Sequence, residues 1–396
     1  MEFLIITGLK LGLILFIFMT TLAYLQWVER KVIAHVQVRM GPSRVGPHGL
    51  LQPLADVIKL ITKEGVMPPH VNKFFYLAAP FLAVFMALIS ISIIPFGTEV
   101  TILGHRTMME LADVNVGILL ILAVSSMGVY GIALGGWASN NKYSLLGGLR
   151  SSAQMISYEL PMSLAIVAPL LSAGTLSLRG IAESQSGFYL GFVPRWAIFQ
   201  FPAPQIFSFI IFMIAAFAET NRIPFDLPEA ENELVAGFHV EYSSMSFAAF
   251  FMAEYANMVT VCSVATLLFL GGWAPLWPAA YGSNFLASAI LFLAGAICFY
   301  HGLHPARPFD RITLPVFGVV FVGLGAIMLV PFLVPALMPI FWFLAKVSLL
   351  LFIFVWIRAT LPRFRYDQLM SFAWKFLFPV ALANLLITAF LVALVA

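Results

Sequence analysis

The chain has 396 residues, of which 61% are hydrophobic and 10% are charged, and its formal net charge is +3 at pH 7. A soluble domain carries about 25% charged residues, so this composition excludes an ordinary soluble enzyme. The small positive charge gives no reason to expect a nucleic-acid partner. The two cysteines, Cys262 and Cys298, lie far apart in apolar runs. Two distant thiols cannot hold an iron–sulfur cluster or a zinc ion, so we predict no metal site.

Apolar runs of about 20 residues recur along the chain and predict helices that cross a bilayer core of roughly 30 Å. The predicted spans are residues 3–27, 74–96, 114–136, 150–172, 202–219, 245–271, 285–300, 312–337, 340–359 and 374–395. Since no soluble domain fits between them, we predict an all-α polytopic membrane protein, with residues 1–396 forming a single integral membrane domain.

Basic residues concentrate on alternate connections between these spans. Sixteen of the 21 lysines and arginines lie there, namely Arg30, Lys31, Arg39, Arg44, Lys59, Lys63, Lys73, Lys142, Arg150, Arg222, Arg307, Arg311, Arg358, Arg363, Arg365 and Lys375. Because cytoplasmic loops are enriched in lysine and arginine, we predict that these connections face the cytoplasm and that both termini face the other side. The concentration of basic residues on one side of the membrane is retained only if segments 285–300 and 312–337 both cross the membrane or neither does. We favour the topology in which both cross.

The first connection, residues 28–73, is too polar to cross a membrane. Within it, apolar residues from Leu50 to Lys63 recur at helical spacing, and most polar residues fall on the other side. This pattern predicts an amphipathic helix that lies in the membrane interface. Such a helix could floor a lateral opening for a lipid-soluble ligand or could simply anchor the surface, and periodicity favours neither.

Acidic residues gather in a second stretch. Seven of the chain's 18 acidic residues lie there, namely Glu219, Asp226, Glu229, Glu231, Glu233, Glu241 and Glu254. Apolar residues are interleaved with the acids of loop 219–243, and Pro224 and Pro228 stiffen it, which predicts a segment folded back against the protein. Arg222 is the only basic residue of the loop and can neutralise one or two acids. Crowding and burial favour the protonated carboxyl group, so the loop is predicted to hold protons.

Two glutamates are predicted to lie deep in the membrane. Glu159 and Glu254 are each nine or ten residues into a span that enters from the same face, hence about 15 Å from its edge. An ionisable group near the bilayer midplane marks an ion or proton pathway by default. The alternative is a glutamate that is hydrogen-bonded for helix packing. We favour the pathway because both acids reach one depth and an acidic loop leads toward them.

Three segments closely resemble the H subunit, also called subunit 1, of proton-pumping NADH:quinone oxidoreductase, respiratory complex I. They read ERKVIAHVQVRMGPSRVGPHGLLQPLADVIKLITKE, AETNRIPFDLPEAENELVAGFHVEYSSMSFAAFFMAEYANM and IRATLPRFRYDQLM. The resemblance covers nearly the whole chain. It implies a subunit of the bacterial inner membrane that is not catalytic alone, with quinone as substrate and no cofactor of its own. Iron–sulfur clusters and FMN would belong to partner subunits.

The resemblance also implies roles for individual residues. Arg30, Arg39 and Phe225 would lie at the quinone chamber, with the Leu50–Lys63 helix at its entrance. An acidic funnel would comprise Glu219, Asp226, Glu229, Glu231, Glu233 and Glu241. Glu159 and Glu254 would pass protonation changes into the membrane. Supporting ion pairs would involve Arg222, Arg363, Arg365 and Asp367. The partners would be hydrophilic quinone-module subunits, antiporter-like membrane subunits and lipids.

The chain departs from the family pattern between residues 273 and 340. Members of the family have eight spans, whereas here HGLHPARPFDR joins two additional apolar segments. We predict that residues 285–337 form a peripheral two-helix insertion. Two other functions remain open at this point: the membrane anchor of an energy-converting hydrogenase or formate hydrogenlyase, and a stand-alone secondary transporter. The absence of an internal repeat counts against the transporter.

Overall fold

The computed structural model describes residues 2–102, 105–227, 235–305 and 309–395, and the regular structure in these ranges is predominantly α-helical. The helices are α1 (Glu2–Val36), α2 (Gln52–Thr62), α3 (Lys73–Ser92), α4 (Gly117–Ala138), α5 (Lys142–Ala173), α6 (Leu178–Ser184), α7 (Ile206–Glu219), α8 (Ser244–Phe269), α9 (Ser283–Leu303), α10 (Asp310–Ile327), α11 (Val334–Thr360), α12 (Tyr366–Phe372) and α13 (Phe378–Val395). Two short antiparallel hairpins pair β1 (Val100–Ile102) with β2 (His105–Thr107) and β3 (Phe188–Tyr189) with β4 (Val193–Pro194).

Within the described ranges, nine helical segments are long and apolar enough to cross a membrane. A tenth apolar helix, α7, has 14 residues and a length of about 21 Å. These ten segments correspond one to one with the predicted spans, and the all-α polytopic prediction is confirmed.

Some predicted boundaries were wrong, for local reasons. Helix α5 begins at Lys142 rather than residue 150, because the side chain of Asn141 accepts a hydrogen bond from the backbone nitrogen of Tyr143 and caps the helix. The predicted span 312–337 is too long because Pro335 lies in the first turn of α11. Proline is tolerated in the first turn of a helix, so the proline-rich segment starts a new helix there.

Helix α8 occupies the centre of the bundle and packs against α3, α7 and α11. Its second half is buried almost without interruption, from Tyr255 to Phe269. Close backbone contact with α5 fixes the segment around Gly237, which precedes α8. A Cβ atom on Gly147 of α5 would lie 2.7 Å from the Cα atom of Gly237, so only glycine fits at position 147.

The additional helices α9 and α10 pack chiefly on each other at the edge of the bundle. Large apolar side chains such as Phe285 and Leu293 are exposed on their outer surface. Nε2 of His48, in the first connection, lies 3.2 Å from Oδ1 of Asp310. This contact places the start of α10 at the end of the bundle where α1 ends, which we call the basic end.

Candidate functional site

Four charged side chains from four parts of the chain form a buried ion cluster near the basic end. Arg222, just after α7, lies between two carboxylates. Its Nη1 is 3.0 Å from Oε1 of Glu29 on α1, and its Nε is 2.6 Å from Oε1 of Glu254 on α8. Arg358 of α11 also contacts Glu29. Since a buried charge is costly unless it is paired, the two guanidinium groups and the two carboxylates stabilise one another.

A cavity of about 40 Å³, lined by both polar and apolar side chains, adjoins this cluster and is called the acid cavity here. Glu219, Glu254, Ser125, His239 and Asn257 contribute to its lining. A site of this size with these polar side chains accommodates water, which needs at least about 10–15 Å³ and several polar partners. The carboxylates of α7 and α8 therefore face a common space that water can bridge.

Two adjacent serines of α4 join the carboxylates of neighbouring helices. Ser125 donates a hydrogen bond to Oε1 of Glu219, and Ser126 donates one to Oε1 of Glu159. Glu219 and Glu159 are close enough for their carboxyl groups to interact electrostatically. The other oxygen of Glu219, Oε2, is buried without a hydrogen-bond partner among the described protein atoms. The structure therefore brings Glu159 to Glu219, whereas Glu254 pairs with Arg222.

A second cavity, of about 30 Å³, continues from the first toward the end of the bundle opposite the basic end. It shares Ser90, Ser125, Glu219 and Asn257 with the acid cavity and reaches Thr260 and Val264 of α8.

His239 lies in the connection between α7 and α8 and is surrounded by aromatic rings. The rings of Phe238, Phe247 and Phe251 have their centroids 5.0, 5.5 and 5.8 Å from that of the imidazole. Burial lowers the pKa of His239 to about 4, because a cation is poorly solvated in such surroundings. The imidazole is therefore neutral at physiological pH.

An open groove of about 700 Å³ lies at the basic end beside the ion cluster. Arg30, Arg39, Arg44 and Gln52 line it. Nη1 of Arg30 is 2.8 Å from Oδ2 of Asp56 on α2. The groove thus lies between the end of α1 and the start of α2, and three arginine side chains border it.

Helix α2 matches the predicted amphipathic helix, although it covers residues Gln52–Thr62 rather than 50–63. Its apolar residues Leu54, Val57, Ile58 and Ile61 remain exposed. A helix with an uncovered apolar side suits the membrane interface. Asp56 connects α2 to the groove through Arg30.

The other residues expected at the quinone chamber and funnel are more scattered. Phe225 does not line the groove; it is buried, and its ring lies 5.4 Å from that of Tyr158 and 5.6 Å from that of Phe364. Oδ2 of Asp226 accepts a hydrogen bond of 2.8 Å from Nη2 of Arg363.

Glu241 and the Arg365–Asp367 pair also stand apart from the acid cavity. Oε1 of Glu241 accepts a 2.6 Å hydrogen bond from Asn141, so this acid ties the connection to the start of α5. Nε of Arg365 lies 3.4 Å from Oδ1 of Asp367, and both side chains are exposed. Of the six funnel residues, Glu219 alone lines the acid cavity among those that the structure describes. Glu229, Glu231 and Glu233 lie outside the described residues.

Several residues of the site were missed by reasoning from the sequence. Glu29 was overlooked because it stands beside two basic residues, in a segment that resembles a solvated helix end. Ser125 and Ser126 form an ordinary pair in an apolar run, and only the fold shows that they face Glu219 and Glu159. Among the described residues, no group of three histidine, cysteine or acidic side chains is arranged to hold a metal ion.

Comparison with known proteins gives a consistent result. The family model of NADH dehydrogenase matches residues 9–389. H subunit 1 of the NADH-quinone oxidoreductase from Solibacter usitatus (strain Ellin6076) is 66% identical over 392 residues, covering 99% of this chain and 98% of the relative. H subunit 2 from Koribacter versatilis (strain Ellin345) is 49% identical, with coverage of 99% and 98%. H subunit 1 from Geobacter sulfurreducens is 44% identical, with coverage of 96% and 94%.

The match extends over nearly the full length of the chain and agrees with the long apolar helices. It decides against the hydrogenase anchor and the stand-alone transporter. The chain therefore belongs to the NADH dehydrogenase family, among the H subunits of NADH-quinone oxidoreductase, respiratory complex I: integral membrane subunits of an enzyme complex that are not catalytic alone.

Proposed function

We propose that this subunit forms part of the quinone-binding chamber and couples quinone reduction to proton translocation through its buried carboxylates. The observation that carries the proposal is the adjacency of Glu29 and Arg30. Arg30 lines the open groove, and Glu29 belongs to the buried ion cluster. One turn of α1 therefore connects a surface that can receive a ligand with charges that adjoin the acid cavity.

The groove suits the head group of a quinone during its reduction. Reduction to the quinol takes up two electrons and two protons, and negative charge develops on the quinone oxygens before the protons arrive. Arginine side chains donate hydrogen bonds to such oxygens and stabilise the charge. We propose that the electrons come from an iron–sulfur cluster of a hydrophilic partner subunit, which would close the groove, and that FMN also belongs to partners.

A change of charge in the groove can reach the membrane through the ion cluster. Arg30 and Glu29 are neighbours in the chain, and Arg222 links Glu29 to Glu254. When the charge near Arg30 changes, the relative strengths of the ion pairs that Arg222 makes with Glu29 and Glu254 change as well. Glu254 then gains or loses a proton, and water in the acid cavity can transfer that proton toward Glu219 and Glu159. Antiporter-like partner subunits would receive the protonation change.

The quinone role is tested by Arg30→Gln in the whole complex. We expect the KM for quinone to rise by about tenfold, as for the loss of one charge-assisted hydrogen bond of about 1.5 kcal/mol. NADH oxidation by ferricyanide should remain unchanged. Arg365→Gln is the matched control, because Arg365 is an exposed arginine that pairs with an acid outside the groove. An unchanged KM in an assembled Arg30→Gln complex would remove Arg30 from the chamber.

The coupling role is tested separately by Glu254→Gln. We expect fewer protons to be translocated per NADH, while NADH oxidation by artificial acceptors stays intact. Asp367→Asn, an exposed acid, is the control. If the variant pumps as many protons per NADH as the native complex, Glu254 is not part of the coupling route.

We also infer that the protein resides in the bacterial inner membrane with the basic end in the cytoplasm. The concentration of lysine and arginine on that end supports this orientation. A cysteine at position 186 in place of Ser186 should react with an impermeant thiol reagent added to intact cells. A cysteine at position 375 in place of Lys375 should react only after permeabilisation. The reverse pattern would invert the orientation.

A further inference from the structure

Lys346 is a basic residue in the middle of α11 that the proposed function leaves unused. Its side chain is buried, and Nζ lies 2.6 Å from the carbonyl oxygen of Leu270, 2.8 Å from that of Gly272 and 2.6 Å from that of Ala274. The ring of Trp196 lies 4.3 Å from Nζ. No ion pair joins Lys346 to a carboxylate within the part of the chain that the structure describes.

The contacts of Nζ favour the charged form of this lysine and offset the cost of burying it. A protonated amine has three N–H donors, whereas a neutral amine has two. Three carbonyl oxygens accept from Nζ here, which matches the ammonium form. The oxygens follow the end of α8, where the helix dipole places partial negative charge, and the face of Trp196 adds a cation–π contact. Lys346 is therefore held by dipoles and an aromatic ring.

The loop that carries these oxygens is fixed in place. Oε1 of Gln185 accepts hydrogen bonds from the backbone nitrogens of Gly271 and Ala197, at 3.0 and 2.9 Å. Nε2 of Gln185 donates to the carbonyl oxygen of Leu267 at 2.8 Å. Gly271 has a φ of +69°, and a Cβ atom there would lie 2.3 Å from Trp196. The ammonium group is thus surrounded by a built site with little freedom to move.

The charge lies beyond the end of the two cavities. The second cavity reaches Thr260 and Val264, and the hydroxyl of Thr260 is buried without a hydrogen-bond partner among the described protein atoms. From there to the end of α8, Leu267, Leu268 and Phe269 are fully buried. Val264 and Leu270 are six residues apart, which is about 9 Å along a helix.

We infer that Lys346 is an electrostatic barrier that closes the acid cavities toward the end of the bundle opposite the basic end. A proton that reaches Glu219 and the second cavity meets an apolar segment and then a fixed positive charge. Fixed positive charges exclude protons and other cations from membrane pores in the same way. Protons that enter the acid cavity must then leave sideways, into neighbouring subunits. This inference rests on the proposed function, because it treats the acid cavity as a proton route.

The test is a proton leak measured without turnover. The whole complex is reconstituted in liposomes, a pH gradient is imposed in the absence of NADH, and its decay is followed with a pH-sensitive dye. Lys346→Gln removes the charge but keeps two donors for the carbonyl oxygens. At about 9 Å and an effective dielectric constant of about 20, loss of a unit charge should raise the leak by roughly 20-fold. Lys346→Arg keeps the charge and should stay tight.

Two controls separate the loss of a charge barrier from a general loosening of the fold. Lys10→Gln changes another lysine within a span, whose Nζ lies 3.5 Å from the carbonyl oxygen of Glu110, and it should not leak. Adding Glu219→Gln to Lys346→Gln should suppress the leak, because the leak would pass through the acid cavities. A loosened fold would leak with or without Glu219.

Each contrary result overturns the barrier. The inference fails if Lys346→Gln stays as tight as the native complex, if Lys346→Arg leaks equally, or if the leak persists in the double variant. It also fails if Lys346→Gln does not assemble and Lys346→Met, the second uncharged variant, does not assemble either, since Lys346 would then serve folding. The leak is measured without quinone chemistry, so a tight Lys346→Gln complex would leave the Glu254→Gln pumping test unaffected.

Discussion

Replacement of Glu29 by glutamine removes one charge from the ion cluster while preserving its shape. Arg222 is 4% exposed and Glu29 is 3% exposed, so bulk water is largely excluded from the position of the lost carboxylate. The two oxygens of Glu29 lie 3.0 and 3.2 Å from Nη1 of Arg222, and Arg358 contacts the same carboxylate. After the substitution, Glu254 would be the remaining carboxylate of these four residues, beside two guanidinium groups.

Breaking a buried ion pair on one side costs about 3–5 kcal/mol. The glutamine oxygen still accepts one hydrogen bond, so we expect a loss of about 3 kcal/mol in the stability of the subunit. If half of that energy adds to the activation barrier of quinone reduction, because the ion pairs of Arg222 change in each turnover, quinone reduction slows by roughly tenfold. NADH oxidation by ferricyanide should be unchanged, since it bypasses the quinone.

The assay compares NADH:quinone and NADH:ferricyanide activities of the purified complex, together with its thermal stability. Glu64→Gln is the matched control, because Glu64 is an exposed acid that follows α2 and lies outside the ion cluster. An assembled Glu29→Gln complex with native quinone reduction and native stability would refute the view that Glu29 links the groove to the acid cavity.

Three further predictions concern the scaffold around the site. Gly147→Ala should prevent assembly, because its Cβ would lie 2.7 Å from backbone atoms of Gly237. Gly128→Ala is the control and should assemble normally, because its Cβ would have nothing within 4 Å. Native electrophoresis of the complex measures assembly in both variants. Gln154→Leu should destabilise the subunit by about 1–3 kcal/mol in thermal unfolding, since Nε2 of Gln154 donates to two buried carbonyl oxygens, each at 2.8 Å. Burial lowers the pKa of His239 from 6.5 to about 4, so between these pH values the unfolded chain binds a proton that the folded chain excludes, and stability is lost as pH falls from about 6.5 to 4. His239→Phe should remove up to about 3 kcal/mol of that loss in stability. Equal acid sensitivity of the native and variant proteins would contradict the burial of His239.

The helices could be predicted because each leaves a strong signal in the sequence. Apolar runs as long as a bilayer core locate the spans, and the periodicity of residues 50–63 locates α2. The boundaries were harder, because they depend on local contacts. The Asn141 cap extends α5 by eight residues, and Pro335 starts α11 where it seemed to end the previous helix.

The residues of the site were predicted only in part. The sequence shows where acidic residues lie along the chain, but it does not show which of them come into contact. Glu219 was predicted where a span meets the acidic loop, and it does end α7, where it lines the acid cavity with Glu254. Glu241, predicted beside them, instead bonds Asn141. Contacts between helices that are distant in the chain decide which acids line the acid cavity, and such contacts cannot be predicted from hydropathy.

The central claim is that quinone reduction changes the protonation of carboxyl groups in the acid cavity. Infrared difference spectroscopy of the whole complex, with the bound quinone oxidised and then reduced, measures this change through the C=O stretch of carboxylic acids. The account predicts a carboxylic-acid difference band in the native complex that is lost or altered in both Glu254→Gln and Glu219→Gln. Difference spectra of the two variants identical to that of the native complex would contradict it.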